Sequence, residues 1–188
     1  MSKSLYKKGD LNSLIILAQE GDIKALEELI RRVQKDIYSI VSHLLNKRED
    51  ISDLTQEVLL KMAKSLSNLK DVKSFKRWLN KIITNVYYDY LKKKKNSSIE
   101  YDENILNELK DKIGCEPGER CLFSEIEKLI RAALMTLPKE LRLALVLREY
   151  EGLSYEDIAE VTNTALGTVK SRISRARLKL QQELKEFI

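Results

Sequence analysis

Between Thr168 and Lys179 the chain carries five cations, Lys170, Arg172, Arg175, Arg177 and Lys179, and no acid follows until Glu183. On a helix, Thr168, Ser171, Arg172 and Arg175 form one stripe, with Val169, Ile173, Ala176 and Leu180 on another roughly opposite. One stripe can pack while the other meets a ligand. Short hydroxyls between guanidinium groups suit a DNA major groove, where arginine grips guanine edges or phosphates and serine or threonine approaches closely. An ordinary solvated helix face mixes both signs, which this one does not. A second group, Trp78, Tyr87, Tyr88 and Tyr90 among Lys81 and Lys92 to Lys95, combines stacking surface with positive charge, as a single-strand site does. Trp78 also lies on an apolar stripe and reads more readily as core; the lysine run has the alternative of a solvated helix end. A third group, Asp53, Gln56, Glu57 and Leu60, shares one outward helix face, apolar in the middle and charged at the rim, which fits docking to a protein, with an ordinary solvated helix face as the alternative. Asp50, Asp53 and Glu57 could instead hold magnesium for a nuclease. No second acidic cluster and no nucleophile with a paired base supports that use.

The elements that position these groups are helices, because apolar residues recur at three and four rather than at two. Asp22 can cap a helix whose stripe is Leu26, Leu29, Val33, Ile37, Ile40 and Leu44. A second helix, from about Ser52 to Leu66, turns Leu54, Val58 and Met62 inward. A third starts at Ser74, buries Phe75, Trp78, Leu79, Ile82 and Val86, and runs out into the lysines. The segment from Ser97 to Glu127 then holds nine acids against three bases, whereas Lys76 to Lys95 holds seven bases against one acid. With Gly114, Pro117 and Gly118 inside it, the acidic segment reads as a flexible linker. Beyond it, Glu125 to Met135 and a helix after Pro138 lead to Gly152. Ser154 can cap Tyr155 to Val161, with Asp157 as its capping-box partner. The "TNTA" turn then precedes the basic helix, and two short helices, a tight turn and a basic second helix describe a helix-turn-helix. The expected fold is all-α: two small helical domains, 1–95 and 125–188, joined by an acidic linker, 96–124.

The net charge of +5 fits a polyanionic partner only weakly; its segregation along the chain carries more weight. Cys115 and Cys121 are too few to staple a secreted fold and read as free thiols in a reducing compartment. The single histidine, His43, sits among apolar residues and reads as structural, so no metal site or cofactor is expected. The N-terminus lacks an apolar signal core and no run approaches a membrane span, so the expected location is the cytoplasm, without membrane insertion.

The stretch "LPKELRLALVLREYEGLSYEDIAEVTNTALGTVKSRISRARLKL" resembles region 4 of extracytoplasmic-function (ECF) sigma factors of bacterial RNA polymerase. A related pattern occurs in response regulators. "DLTQEVLLKMAKSL" and "FKRWLNKIITNVYYDYLKKK" resemble region 2 of the same family, in the right order and separation. The resemblance implies that the first domain binds core RNA polymerase and opens the minus-ten element while the second reads the minus-thirty-five element. It places Asp53, Gln56, Glu57 and Leu60 on the polymerase. It matches Lys170, Ser171, Arg172 and Arg175 to the readers of the minus-thirty-five duplex, where Thr168 of the same stripe joins them, and Asn85 to the minus-ten DNA, where the stacking and charge of Lys81, Tyr88, Lys92 and Lys93 place those residues too. Asn85 matches the residue that holds a base flipped from the nontemplate strand, work suited to an amide that donates and accepts. Its other possible use is a backbone contact inside the bundle. The implied partners are core RNA polymerase, promoter DNA as duplex and melted single strand, and a separate anti-sigma protein. Asn163 and Ala165 stand where glycine and proline are common in the turn, and Ser174 where some members have an aromatic, which bears on base preference. The competing function is a stand-alone helix-turn-helix regulator, which would need neither the Asp53 to Leu60 face nor Asn85.

Overall fold

A computed structural model describes residues 10–96 and 119–185. Among them are eight α-helices and no strand: α1 Leu11–Gln19, α2 Ile23–Leu44, α3 Arg48–Ser65, α4 Phe75–Asn96, α5 Glu119–Thr136, α6 Lys139–Glu149, α7 Tyr155–Thr162 and α8 Leu166–Leu184. The all-α expectation holds. Short 3₁₀ turns, Leu66–Asn68 and Val72–Ser74, connect α3 to α4.

Local chemistry sets the helix starts. Asp22 accepts from the backbone N–H groups of Lys24 and Ala25, and Asp10 does the same for Asn12 at α1. Periodicity sets the packing. Leu29, Val33, Ile37, Ile40 and Leu44 of α2 are buried against Leu54, Val58 and Met62 of α3 and Phe75, Leu79, Ile83 and Val86 of α4. Helix α1 had no place in the sequence reading; it buries Leu14 and Ile15, and the Gln19 amide donates to the Leu66 and Leu69 carbonyls, tying α1 to the turn after α3.

In the second half, Leu143, Val146 and Leu147 of α6, Ile158 and Val161 of α7 and Val169, Ile173 and Ala176 of α8 are buried together. Helix α5 begins at Glu119, inside the range read as linker, because apolar positions at helical spacing, Leu122, Ile126 and Ile130, resume as soon as Pro117 and Gly118 are passed. Residues 97–118, including Cys115, and the side chain of Cys121 lie outside the described residues.

The two halves pack on each other. Helix α2 meets α5 and α6, and α4 meets α7, so the buried apolar residues of both form one continuous cluster. Arg142 of α6 sits at this junction, 5% exposed. Its guanidinium donates to the Leu44 carbonyl at 2.8 Å, at the end of α2, and to the Met135 and Leu137 carbonyls at 2.6 and 3.0 Å, at the end of α5. A cation among carbonyls at two helix C-termini meets the negative ends of both dipoles. His43, next in sequence to Leu44, is buried, its Nδ1 2.6 Å from the Ser39 carbonyl and its ring 3.9 Å from that of Tyr150. The structural reading of His43 stands.

Candidate nucleic-acid and polymerase interfaces

Helices α3 and α4 present two different faces. On α3, Asp53, Gln56 and Leu60 are exposed, Leu60 to 60%, and Glu57 is half-buried beside them. Their spacing puts them on the side away from Leu54, Val58 and Met62, which fill the core. An apolar side chain kept in water among carboxylates is the arrangement expected from the sequence. Asp50 belongs elsewhere: its carboxylate accepts from Lys94 at 2.7 Å and from the Tyr90 hydroxyl at 2.8 Å. Burial works against its charge, but these two bonds outweigh it and hold the carboxyl below its ordinary range. A carboxylate already neutralised in this way is a poor magnesium ligand, and among the described residues no group of three or more His, Cys, Asp and Glu could hold a metal ion.

The other face is a cleft of about 600 Å³ between α3 and α4, lined by Lys61, Lys64 and Ser65 on one side and Ile82, Asn85, Tyr88, Asp89 and Lys92 on the other. Asn85 is exposed at its edge, so the alternative of an amide spent inside the bundle is not realised. Ile82 and Tyr88, half-buried, supply an apolar floor, and Lys92 and Lys64 are exposed. Lys61 bridges Glu57 at 3.1 Å and Asp89 at 3.4 Å; burial opposes its charge, but the two carboxylates keep the ammonium protonated above its ordinary range. The cleft therefore joins a planar apolar surface, an amide and several cations. A flipped base needs these: stacking, edge hydrogen bonds and phosphate neutralisation.

Some residues expected at this surface are placed differently. Tyr87 is fully buried with Ile83 and Val86, since its position on α4 falls on the core stripe, and it offers no stacking face. Ile82, expected in the core, lies half-buried at the cleft instead. Trp78 is half-buried against Phe75, as the core reading had it. The lysine run divides: Lys92 and Lys93 are exposed, whereas Lys94 bonds Asp50 and lies 4.9 Å from the Tyr90 ring centre. Sequence reasoning missed Lys61 and Lys64. Their three-residue spacing, offset from the Asp53 to Leu60 face, was the available signal.

The helix-turn-helix is built as its residues require. Ser154 Oγ accepts from the Asp157 N–H at 3.0 Å and donates to Asp157 Oδ2 at 2.6 Å. The Ser154 bond and, after an opposing contribution from burial, Arg77 hold the Asp157 carboxyl below its ordinary range. The turn reverses at Asn163, whose φ of 51° and ψ of 49° are left-handed, a conformation asparagine tolerates. Helix α8 then turns Val169, Ile173 and Ala176 inward and leaves Lys170, Ser171 and Arg175 exposed, with Thr168 and Arg172 half-buried. Arg177 is occupied on another side by Glu149 at 2.6 Å. The stripe of Thr168, Ser171, Arg172 and Arg175 lies about a third of a turn round α8 from the packing stripe rather than opposite it, which is why its Thr168 and Arg172 edge is half-buried.

Polar contacts join α4 to α7 and to Glu151 in the turn before it. Arg77 pairs with Asp157 at 3.3 Å and Glu160 at 3.4 Å, Asn80 donates to Glu151 at 3.0 Å, and Lys76 lies 3.7 Å from the same carboxylate. Lys81 Nζ donates to the Glu160 and Val161 carbonyls, each at 2.9 Å. About two turns further along α4, burial pushes the Tyr88 hydroxyl pKa up, against the pull of the Arg172 cation of α8.

Comparison with known proteins agrees with this layout. A family model described as Sigma-70 region 2 matches residues 29–97, and one described as Sigma-70, region 4 matches residues 127–180. The chain is 34% identical over 184 residues to the ECF RNA polymerase sigma-E factor of Haemophilus influenzae, covering 94% of this chain and 96% of that one. It is 33% identical over 184 residues to the RNA polymerase sigma-H factor of Pseudomonas aeruginosa, covering 93% and 94%. Among solved structures, the sigma factor RpoE in complex with the anti-sigma factor NepR from Bartonella quintana aligns over 87% of this chain and 98% of that one, with a TM-score of 0.65 and 26% identity. The fold alone is shared with CnrH in complex with the cytosolic domain of CnrY, at a TM-score of 0.65 and 20% identity over 94% of this chain and 99% of that one.

Proposed function

This chain belongs to the sigma-70 family as an alternative sigma factor of the ECF class, and from that premise we propose a division of labour among its helices. Residues 1–95 form the polymerase and minus-ten domain, 125–188 the minus-thirty-five domain, with the acidic segment between. Asp53, Gln56, Glu57 and Leu60 on α3 dock on core RNA polymerase. Asn85, Lys81, Tyr88, Lys92 and Lys93 engage the minus-ten nontemplate strand, Asn85 taking the edge of a flipped base. Thr168, Lys170, Ser171, Arg172 and Arg175 of α8 enter the major groove of the minus-thirty-five element.

The observation that carries this reading is the two-faced α3–α4 pair: an exposed leucine among acids on one side, a cationic cleft with an amide at its edge on the other. A stand-alone duplex-binding regulator needs neither face. The mechanism is positional, without a catalytic step of its own. Core polymerase supplies the chemistry, and the chain holds it to two DNA elements at once, so two modest interfaces act together through effective concentration. A bidentate arginine contact contributes about 1–3 kcal/mol of base discrimination. Unstacking a base costs a few kcal/mol, which contacts in the cleft offset. The chain works in the cytoplasm, with core polymerase and promoter DNA, and a separate anti-sigma protein is expected to hold it there. The Bartonella quintana relative is solved with such a partner.

The deciding experiment measures binding of the purified chain to core RNA polymerase in competition with a housekeeping sigma factor. Competitive binding that Asp53→Arg/Glu57→Arg abolishes, with helix content unchanged, is the expected result. No binding by the folded wild-type chain moves the assignment to a stand-alone regulator.

A further inference from the structure

The cleft has a wall on each of two helices, and the wall on α3 stands at that helix's weak end. Lys61, Lys64 and Ser65 lie in the last residues of α3, where a helix runs out of N–H donors for its carbonyls. The 3₁₀ turn Leu66–Asn68 follows directly, and helix α1 packs against it and against Val72–Ser74, the turn that leads into α4. On the assignment of the cleft to the minus-ten strand, on which this rests, we infer that Gln19 of α1 is a positioning residue for promoter opening. It holds the α3 wall of the cleft at the distance from Asn85 that a flipped base requires.

The Gln19 amide nitrogen donates to the Leu66 carbonyl at 2.9 Å and to the Leu69 carbonyl at 2.8 Å. Two carbonyls need two N–H donors on one atom, which a primary amide has and a hydroxyl or carboxylate lacks. Leu66 opens the 3₁₀ turn and Leu69 closes it, so the turn is pinned at both ends. Burial of the Leu66 and Leu69 side chains keeps the turn on the bundle, but the direction of its carbonyls is set by what donates to them. Ser65 precedes the turn and its Oγ donates to the Lys61 carbonyl at 2.6 Å, so a shift of the turn reaches both the hydroxyl and the backbone of the lysine behind it. Gln19 lies outside the cleft and touches no DNA; its effect passes through Ser65, Lys64 and Lys61.

The test uses Gln19→Met, which keeps the length of the side chain and removes both donors. Ile15→Val, which loosens the buried side of the same helix and leaves both bonds in place, is the control for general weakening. Each chain is assembled with core RNA polymerase. Permanganate reactivity of melted thymines is then measured at promoters found by sequencing the transcripts that the wild-type holoenzyme makes. The expected result for Gln19→Met is unchanged binding to core polymerase and a loss of opening of about threefold to tenfold, the range of one or two lost hydrogen bonds. Ile15→Val should open promoters nearly as the wild type does. In the double variant with Asn85→Ala, the two factors should fall short of multiplying, because both residues act on one cleft.

Three outcomes overturn the inference alone: wild-type opening by Gln19→Met, a loss in Ile15→Val as large as in Gln19→Met, and factors that multiply in the double variant. Should Gln19→Met fail to fold by circular dichroism, Gln19→Asn carries the same expectation, since it keeps the amide but is one carbon too short to reach both carbonyls. Wild-type opening by Asn85→Ala removes the assignment of the cleft, and the inference with it.

Discussion

Asn85 illustrates what a residue contributes when its surroundings are prepared. Its amide is exposed at the edge of a cleft whose floor is Ile82 and Tyr88 and whose rim includes Lys64 and Lys92, so a base arriving there finds stacking and charge already in place. Only the edge contact depends on Asn85 itself. Asn85→Ala is therefore expected to leave binding to core polymerase unchanged while reducing promoter opening by about tenfold, the lower end of what a paired base contact contributes. Permanganate reactivity of thymines in the minus-ten region measures this directly, and wild-type reactivity in the variant would remove Asn85 from the reading role. The residue type and its position were legible in the sequence through the resemblance; its exposure was not. Tyr87, three positions from Thr84 and four from Ile83, was grouped with the stacking aromatics because composition does not distinguish an aromatic on the core stripe from one beside it.

At the scale of elements, the helices were legible wherever a stripe of apolar residues runs long enough, as in α2, where Asp22 marks the start and Leu29 to Leu44 the buried side. Helix α1 escaped because Leu11 to Gln19 is short, and its burial depends on the distant Leu66 turn that Gln19 engages. The helix-turn-helix turn was legible down to one torsion. Asn163 is left-handed, so Asn163→Gly should be nearly neutral whereas Asn163→Ala should destabilise the domain by about 1 kcal/mol, the scale of the left-handed penalty for a residue that lacks the local hydrogen bonding of an asparagine side chain. Thermal melting followed by circular dichroism checks the pair; an alanine variant as stable as the glycine one would mean that the turn adopts another conformation.

The packing of one half on the other had no trace in the sequence. Long-range pairing leaves no periodicity, and Arg77, Lys81 and Arg142 look in the sequence like any other cations of a basic protein. Glu151 and Glu160 drew no reading at all. His43 reports on the junction. Burial, foremost, and Arg131 hold its pKa below the ordinary 6.5, while the Ser39 carbonyl and Glu127 oppose them, and the Tyr150 ring covers it. A base whose pKa is depressed in the folded state contributes its full stability above about 6.5 and loses it as the pH falls from there toward the lower folded value. Between about pH 7.5 and about pH 5.5 the wild-type melting temperature should therefore fall further than that of His43→Phe, which keeps the stacking without the titration. Identical falls in the two chains would clear His43 of the effect. The buried cluster that runs from Leu44 to Arg142 and beyond has a last consequence, which concerns inheritance of damage between the two halves. Substitutions on opposite sides of the junction share neighbours, so their energies do not add, and a weakened α2 is felt as a weakened helix-turn-helix. The two DNA-reading modules cannot drift independently in sequence, because each is part of the environment that selects the other.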